Sequence, residues 1–271
     1  DDALMTATNW APWGLEAPTN ALMGRFGNVL MVNGKEGFRK TVDKGDVVRL
    51  FLTDASNTKN YNLRIEGDVP MKLVAGDLSR LERETMTPNV IIAPGQRYTV
   101  DARFAEAGEY ALTNRITAVD HWMGEYFYQV DTLGVFVVSD QDADQDYSAE
   151  FETLRTNDDV VAEFAAVRAQ AGRQVDGELV LSLNVGELPI PVIMMMEMDT
   201  LFYPPVEFND AMPMMNWLAT GIDVTWIMHE PAPDVSPRDL GPAVGWRFTQ
   251  GDVVKIRVYN THDSWHPMSH P

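Results

Sequence analysis

Two stretches of the chain carry side chains that suit soft transition-metal ions. Residues 264–271, SWHPMSHP, place two imidazoles and one thioether close together, and a segment between residues 194 and 215 is rich in methionine. Thioether sulfur selects Cu(I), and imidazole suits copper, zinc, iron and nickel. The candidate metal ligands are His266 and His270, and the candidate cuprous-ion or substrate loop consists of Met194, Met195, Met196, Met198, Met212, Met214 and Met215.

These residues do not make a complete metal centre by themselves. The chain has no cysteine, which also excludes disulfides within it, and no His-x-His pair. A single histidine near a chain end is ordinarily exposed to solvent, and methionine also fills gaps in irregular packing. For the other histidines, His121, His229 and His262, we expect loop or surface roles rather than metal binding.

The composition narrows the class of protein. With 45% hydrophobic and 23% charged residues, the 271-residue chain is typical of a globular protein, and no apolar run approaches the roughly 18 residues of a membrane span. The net charge of −19 would repel phosphate backbones, which argues against nucleic acid as a partner and indicates a solubilising acidic surface. The first residues lack the pattern of a signal peptide, and we expect that the natural polypeptide extends beyond both ends.

Short strand patterns separated by turn residues dominate the first half of the chain. The predicted strands lie at 29–32, 47–52, 62–65, 90–93, 98–104, 110–112 and 133–138. Asn33-Gly34 and Pro94-Gly95 are typical turn dipeptides that follow two of them. Many short strands at this spacing favour an antiparallel sandwich or barrel.

The segment 140–177 differs in kind and is predicted to be a helical linker. It begins with an acidic stretch and continues with apolar residues at helical spacing. Thr156 with Asp159 resembles a capping box, and Gly172 is predicted to end the helix in a left-handed conformation. The helical apolar stripe consists of Val160, Val161, Phe164 and Val167. Strand patterns resume at 179–183, 224–228 and 253–259.

An internal repeat links the two halves. Residues 45–50 read GDVVRL and residues 251–256 read GDVVKI, 206 positions later, and a polar turn follows each. If the second turn is two residues longer, His270 falls where the first copy has Asn62. The repeat therefore predicts two copies of one fold, of which only the second has a potential ligand at this position.

Four segments together resemble one family. GRFGNVLMVNG (24–34), IIAPGQRYTVDARF (91–104), MPMMN (212–216) and GDVVKIRVYN (251–260) are similar, in this order, to the second and third cupredoxin domains of bacterial three-domain multicopper oxidases of the laccase-like type. The resemblance implies an all-β fold of tandem Greek-key cupredoxin β-sandwiches joined by a helical linker, with the second sandwich incomplete. The expected domains are a middle domain without copper ligands (1–139), the linker (140–177) and the N-terminal part of a copper-binding domain (178–271).

The resemblance also implies copper chemistry. In this family a type 1 copper takes single electrons from a reducing substrate, and a trinuclear copper cluster reduces dioxygen to water. Aligning the family's His-Pro-x-His-x-His-Gly motif at His270 makes that residue a type 1 copper ligand, whereas aligning it at His266 would place Ser269 where a copper ligand is required. We prefer His270 and keep His266 as the alternative.

The remaining ligands, and every catalytic residue, would then lie in flanking cupredoxin segments outside this chain. The chain by itself is consequently not expected to be active. The implied partners are dioxygen and a small reducing substrate, namely a phenol, an aromatic amine or a low-valent metal ion such as Cu(I). The implied location is the periplasm or the cell exterior.

Two other hypotheses belong to different classes. The chain could act as a copper-free pair of cupredoxin-like sandwiches that serves as a binding or assembly module, which the absence of Cys and His-x-His would favour in a complete protein. A relative of the copper nitrite reductases shares the fold, but the linker helix and the MPMMN segment fit that family poorly.

Overall fold

The structure is a computed structural model that describes residues 2–3, 29–56, 60–120, 125–184, 206–208, 225–233 and 240–260. The described residues form two compact units. Of the described residues, the first unit contains 2–3, 29–56, 60–120, 125–166 and 206–208. The second unit contains 167–184, 225–233 and 240–260.

Strands are the main secondary structure of both units within the described residues. In chain order they are β1 (Asp2–Ala3), β2 (Val29–Leu30), β3 (Phe38–Lys44), β4 (Val47–Thr53), β5 (Tyr61–Ile65), β6 (Met71–Ala75), β7 (Arg80–Thr87), β8 (Val90–Ile92), β9 (Arg97–Arg103), β10 (Gly108–Asp120), β11 (Glu125–Asp142), β12 (Gly177–Asn184), β13 (Val206–Phe208), β14 (Thr225–Pro231), β15 (Leu240–Ala243) and β16 (Ile256–Asn260). The two described helices are α1 (Ser148–Glu152) and α2 (Asp158–Arg168).

The first unit is a two-layer sandwich. One sheet has the order β3-β11-β10-β5-β8, with β13 added beside β10, and the other has the order β4-β9-β6-β7. The buried core takes residues from both layers, such as Ile65 and Phe136 from the first sheet and Met71 and Val100 from the second. The predicted fold class, all-β with cupredoxin-type sandwiches, is confirmed.

The second unit contains one described sheet, with the order β15-β14-β12-β16. β12 pairs antiparallel with β14 and parallel with β16. Val180 and Ser182, two residues apart on β12, are both buried, so they mark the inward face of this strand. The predicted domain limits at 139 and 177 stay predictions, and both described helices lie between them.

The predicted repeat has a structural counterpart in the turn that begins each copy. Gly45 and Gly251 have φ angles of 96° and 98°. The backbone N–H of Asp46 donates to the Asp43 carbonyl at 3.1 Å, and that of Asp252 donates to the Thr249 carbonyl at 3.0 Å. In both copies the aspartate Oδ2 accepts a backbone N–H from three residues earlier at 2.8 Å. Only glycine takes such a φ without strain, so both copies need it.

After these turns the two copies differ. β4 begins at Val47, whereas the corresponding strand in the second copy, β16, begins at Ile256, three residues later than the offset predicts. Asp176 explains the delay, because its backbone N–H donates to the Lys255 carbonyl and its carboxylate accepts the Lys255 N–H, both at 2.8 Å. These contacts hold the chain before β16 in a non-strand conformation.

The linker helices differ in detail from the sequence prediction. α2 begins at Asp158, and Asn157 accepts the first helical hydrogen bond, from the N–H of Val161 at 2.9 Å, so Asn157 and not Thr156 occupies the N-cap position. Thr156 instead forms a bridge with Arg83 of β7. Gly172 does not have a positive φ, and of the predicted apolar stripe only Val160 is buried.

Close packing of β3 on β11 depends on Gly134. A Cβ atom at this position would lie 2.5 Å from the carbonyl oxygen of Phe38. Phe38 also packs edge-on against Phe136 at a centroid distance of 5.7 Å, and Phe136 contacts Phe104 at 5.0 Å. A side chain at Gly134 would push β3 away from this aromatic cluster.

We expect Gly134→Ala to destabilise the first unit by about 2–3 kcal/mol, because a backbone oxygen cannot yield as a flexible side chain would. The measurement is urea unfolding followed by far-UV circular dichroism. Gly76→Ala is the matched control, because its Cβ would meet only the Tyr98 ring at an ordinary 3.9 Å. Equal stability of the two variants would contradict the steric explanation.

Candidate functional site

The predicted metal and substrate residues lie outside the described part of the chain. These are His266, His270, Met194, Met195, Met196, Met198, Met212, Met214 and Met215, together with His121 and His262. Their predicted roles therefore stay predictions. Among the described residues, no group of three or more His, Asp or Glu side chains is arranged to hold a metal ion.

His229 is the one histidine that falls within the described ranges. It lies on β14, and its Nδ1 is 2.8 Å from the carbonyl oxygen of Gly241 on β15. Because a carbonyl only accepts, Nδ1 must carry the proton. The ring thus ties two neighbouring strands together, which is a structural role.

Asn62, which the repeat predicts to correspond to His270, belongs to an amide network. Its backbone N–H donates to Asn114 Oδ1 at 2.9 Å, and its Nδ2 donates to the Arg115 carbonyl at 2.8 Å. Its Oδ1 accepts a hydrogen bond from Asn89 Nδ2. Both ends of the Asn62 side-chain amide are therefore occupied, and the network joins β5 to β10 and to the loop before β8. Hydrogen bonds hold this end of the first unit together, at the position for which the repeat predicts a metal ligand in the second unit.

A charged cluster lies on the outer face of the second sheet, under the linker. We define it as Arg49, Lys72, Glu84, Asp101 and Arg155. Lys72 and Glu84 are almost completely buried, with side chains 2% and 1% exposed, and their charged atoms are 3.5 Å apart. A cavity of about 590 Å³ lies beside the cluster, between the sheet and residues 147–155.

Lys72 binds the linker directly. Its ammonium donates to the backbone carbonyls of Glu150 at 2.8 Å and Thr153 at 3.3 Å, and it lies 5.5 Å from the centre of the Phe151 ring. These carbonyls belong to α1 and to the residue that follows it, where helical carbonyls lack partners within the helix. One buried cation therefore satisfies the end of a helix.

Glu84 binds the next part of the linker. It accepts hydrogen bonds from Arg155 Nε at 2.8 Å and from the Arg155 backbone N–H at 3.1 Å. Burial by itself raises the pKa of Glu84, but the hydrogen bonds from Arg155 and the charge of Lys72 outweigh burial, so the pKa lies below its ordinary value. The hydrogen bond with Glu84 raises the pKa of Arg155. Both groups are therefore ionised over the whole neutral range.

Arg49 and Asp101 complete the cluster as a cross-strand pair of β4 and β9. Arg49 Nε and Nη2 donate to the two Asp101 carboxylate oxygens at 2.7 and 2.9 Å. This hydrogen bonding raises the pKa of Arg49. No pattern in the sequence predicted this cluster. The available signal was the presence of charged residues of both signs, Arg49, Asp101 and Lys72, on or near predicted strands. Charged positions in a strand are ordinarily interpreted as facing solvent, so this signal did not indicate burial.

Comparison with known proteins identifies the family. The family model described as multicopper oxidase matches residues 2–141, just over half of the chain. The chain belongs to the multicopper oxidase family. Neither described helix has the length or the apolar composition of a membrane-crossing segment.

The curated relatives include cell division proteins. The chain is 35% identical over 86 residues to the cell division protein FtsP of Haemophilus influenzae, which is 32% of this chain and 18% of that protein. It is 30% identical over 90 residues to FtsP of Escherichia coli K12, 33% of this chain and 19% of that protein. The matched region thus spans about a fifth of the length of these relatives.

Solved structures of multicopper oxidases resemble the chain at lower identity. The McoA multicopper oxidase of Aquifex aeolicus gives a TM-score of 0.45 at 18% identity. The match covers 66% of this chain and 36% of the McoA chain. A Campylobacter jejuni multicopper oxidase, described as a metallo-oxidase, gives a TM-score of 0.42 at 15% identity, covering 65% of this chain and 33% of its own.

We expect Glu84→Gln to destabilise the first unit by about 3 kcal/mol at pH 7, because it leaves the buried Lys72 ammonium without its counter-charge. The pKa of Glu84 is lower in the folded chain than in the unfolded one. Its stabilisation is therefore complete above the ordinary glutamate pKa of about 4.3 and is lost as the pH falls through the lower folded value. The variant should have a shallower loss of stability in acid.

Thermal unfolding between pH 7 and pH 3 measures both effects. Glu109→Gln is the control, because Glu109 pairs with Arg39 on the surface, where both side chains are more than half exposed and such pairs contribute little. If Glu84→Gln and Glu109→Gln gave the same acid profile, the cluster would not be the source of the pH dependence.

Proposed function

We propose that this chain is part of a multicopper oxidase that oxidises small reductants in one-electron steps and reduces dioxygen to water. The substrates are phenols, aromatic amines or low-valent metal ions, including Cu(I). The observation that carries the proposal is the match of the multicopper oxidase family model over residues 2–141. The position of His270 in the repeat supports it from a separate direction, because the geometry of the first turn is the same in both copies.

The donor chemistry assigns different roles to the two units. In the first unit both ends of the Asn62 side-chain amide already make hydrogen bonds, so this position does not fit copper, and we assign the unit the role of a spacer. In the second unit His270 would supply one imidazole to a type 1 copper, with His266 as the alternative. A bound type 1 copper supplies one-electron transfer and requires a second His and a Cys thiolate as well. These ligands, and those of a trinuclear copper cluster, would come from flanking cupredoxin segments of the natural polypeptide.

The remaining parts of the proposal follow from the same assignment. The partners are dioxygen and the reducing substrate, and the location is the periplasm or the cell exterior. Met194, Met195, Met196, Met198, Met212, Met214 and Met215 form the proposed loop for Cu(I) or another substrate. Thioether groups are soft ligands that favour the cuprous state, which supports Cu(I) as a donor.

A second candidate function is a copper-free binding or assembly module. The observation in its favour is that the curated relatives are described as cell division proteins and not as oxidases. Copper content of the complete natural protein distinguishes the two functions, because a module of this kind would remain copper-free after incubation with copper.

We expect His270→Ala in the complete natural protein to remove the intense visible absorption of the copper–thiolate site and to abolish oxidation of a phenolic substrate, because a trigonal type 1 site needs both imidazoles. The measurements are absorption and electron paramagnetic resonance spectra of the copper-loaded protein. His266→Ala is the matched control and should keep both properties. Loss with His266→Ala and retention with His270→Ala would reverse the assignment of the ligand.

We expect replacement of Met194, Met195 and Met196 by Leu to reduce the rate of Cu(I) oxidation while oxidation of a phenol stays unchanged. Leucine keeps the apolar volume and removes the soft sulfur ligands, so a packing role would be preserved. Steady-state kinetics with both substrates provide the test. Unchanged Cu(I) kinetics would remove the proposed role of these methionines.

A further inference from the structure

The β10–β11 hairpin extends beyond the strands that flank it. β3 pairs with residues 134–138 and 142 of β11. β10 pairs with residues 125–132 and 134–138 of β11. Leu133 is the extra residue of a β-bulge, because Leu112 pairs with Gly134 while Thr113 pairs with Thr132. The bulge marks the point at which pairing with β3 stops. In the described ranges, no strand pairs with the outer edge of residues 125–132, which we call the open edge.

The open edge has little of the usual protection of an unpaired strand. Natural edge strands are protected by charged side chains, especially lysine, by proline or by bulges, which prevent another strand from adding. Residues 125–132 read EYFYQVDT, which contains neither lysine nor proline and is rich in residues that favour strands. Alternate residues of this stretch must direct their N–H and C=O groups away from β10, toward the side on which the described residues provide no pairing strand.

The two faces of the open edge have different chemistry. Tyr128 and Val130, two residues apart, lie on one face and are 88% and 53% exposed. Gln129 and Asp131 lie on the other face, where the Gln129 amide holds the Asp131 carboxylate at 3.0 and 3.1 Å. One face therefore suits apolar side chains of an added strand, and the other suits a cation.

Charge selects the kind of strand that fits. The two charged residues of the open edge, Glu125 and Asp131, are both acidic, and the whole chain carries a net charge of −19. A second copy of this chain would bring two strongly negative molecules together, which disfavours self-pairing. A basic partner is attracted both by the local carboxylate and by the overall field.

We propose that the open edge binds an extended, basic peptide segment of a partner protein by strand addition. The partner alternates apolar residues, which contact Tyr128 and Val130, with lysine or arginine residues, which pair with Asp131. Backbone hydrogen bonds to the open edge supply the affinity, and the alternating side chains supply the specificity. β13 shows that the other edge of the same hairpin already accepts a short parallel strand from a distant part of the chain.

The test uses the complete natural protein and a fluorescein-labelled peptide of four Lys-Val repeats. The comparison peptide has the same sequence with every backbone nitrogen N-methylated, so that it keeps the charge but has no backbone N–H to donate along either edge. We expect the unmodified peptide to bind and the methylated peptide to bind at least tenfold more weakly, as measured by fluorescence anisotropy. Hydrogen exchange should slow at residues 125–132 when the unmodified peptide is present.

Variants of the open edge locate the binding. Tyr128→Lys and Val130→Lys should each weaken binding about tenfold, as expected for exposed anchors in the centre of an interface. Leu78→Lys is the control for the two lysine substitutions, because Leu78 lies elsewhere in the first unit and is 94% exposed. Asp131→Asn should weaken binding, whereas Asp140→Asn, in the part of β11 beyond the β3-paired residues 134–138, should not. Unchanged thermal unfolding of each variant shows that the fold is intact.

Several results would overturn the proposal. Equal affinity for the methylated peptide would show attraction by charge alone, and absence of binding to the natural protein would show that the edge does not accept a strand. Dimerisation of the natural protein that Tyr128→Lys abolishes would assign the edge to a second copy instead. None of these results depends on copper, so they are separate from the test of the oxidase function.

Discussion

Burial of the Lys72 ammonium is the constraint on which the first unit depends. A buried charge is costly unless it is paired and hydrogen-bonded, and Glu84 forms the ion pair with Lys72 at 3.5 Å. The other two partners are backbone carbonyls of the linker, from Glu150 and Thr153. The sandwich is therefore completed by residues that lie beyond its last long strand.

The same constraint explains why the linker has a fixed course. Beyond the end of α1, which Lys72 binds, Arg155 is bound by Glu84. Two residues further on, the N–H of Asn157 donates to the Glu82 carbonyl at 2.9 Å. Residues 155–157 thus run beside β7 like a short additional strand. The side chain of Asn157 then contacts Arg80 and Leu81, which fixes the start of α2. A surface connection would tolerate insertions, whereas this one is tied to the sheet at each step.

This cluster also shows what the sequence could and could not predict. Strands with ordinary alternation, such as β4 and β9, were predicted nearly to the residue, and so was the all-β fold class. β6 (MKLVA) and β7 (RLERETMT) were not predicted, because Lys72 and Glu84 on these strands are buried by residues of the linker. Their partners in the linker lie 78 and 71 residues further along the chain, and no local pattern reveals such pairs. The capping residue of α2 was misplaced by one position, because the prediction followed the Thr156–Asp159 pattern, whereas Asn157 is the better capping residue and is fixed by its contacts with β7.

The candidate metal site raises a different question, which concerns the relation between fold and chemistry. The Gly-Asp turn is the same in both copies down to its hydrogen bonds, so the fold does not depend on whether a metal ligand follows it. In the first unit Asn62 occupies the position that the repeat predicts to correspond to His270, and its hydrogen bonds with Asn89, Asn114 and Arg115 organise that end of the sandwich. Under the proposed assignment, copper would take the place of this amide network in the second unit. Membership of the multicopper oxidase family consequently accounts for the sandwich, whereas the oxidase chemistry rests on the donor set at His270 and on the segments that would complete it.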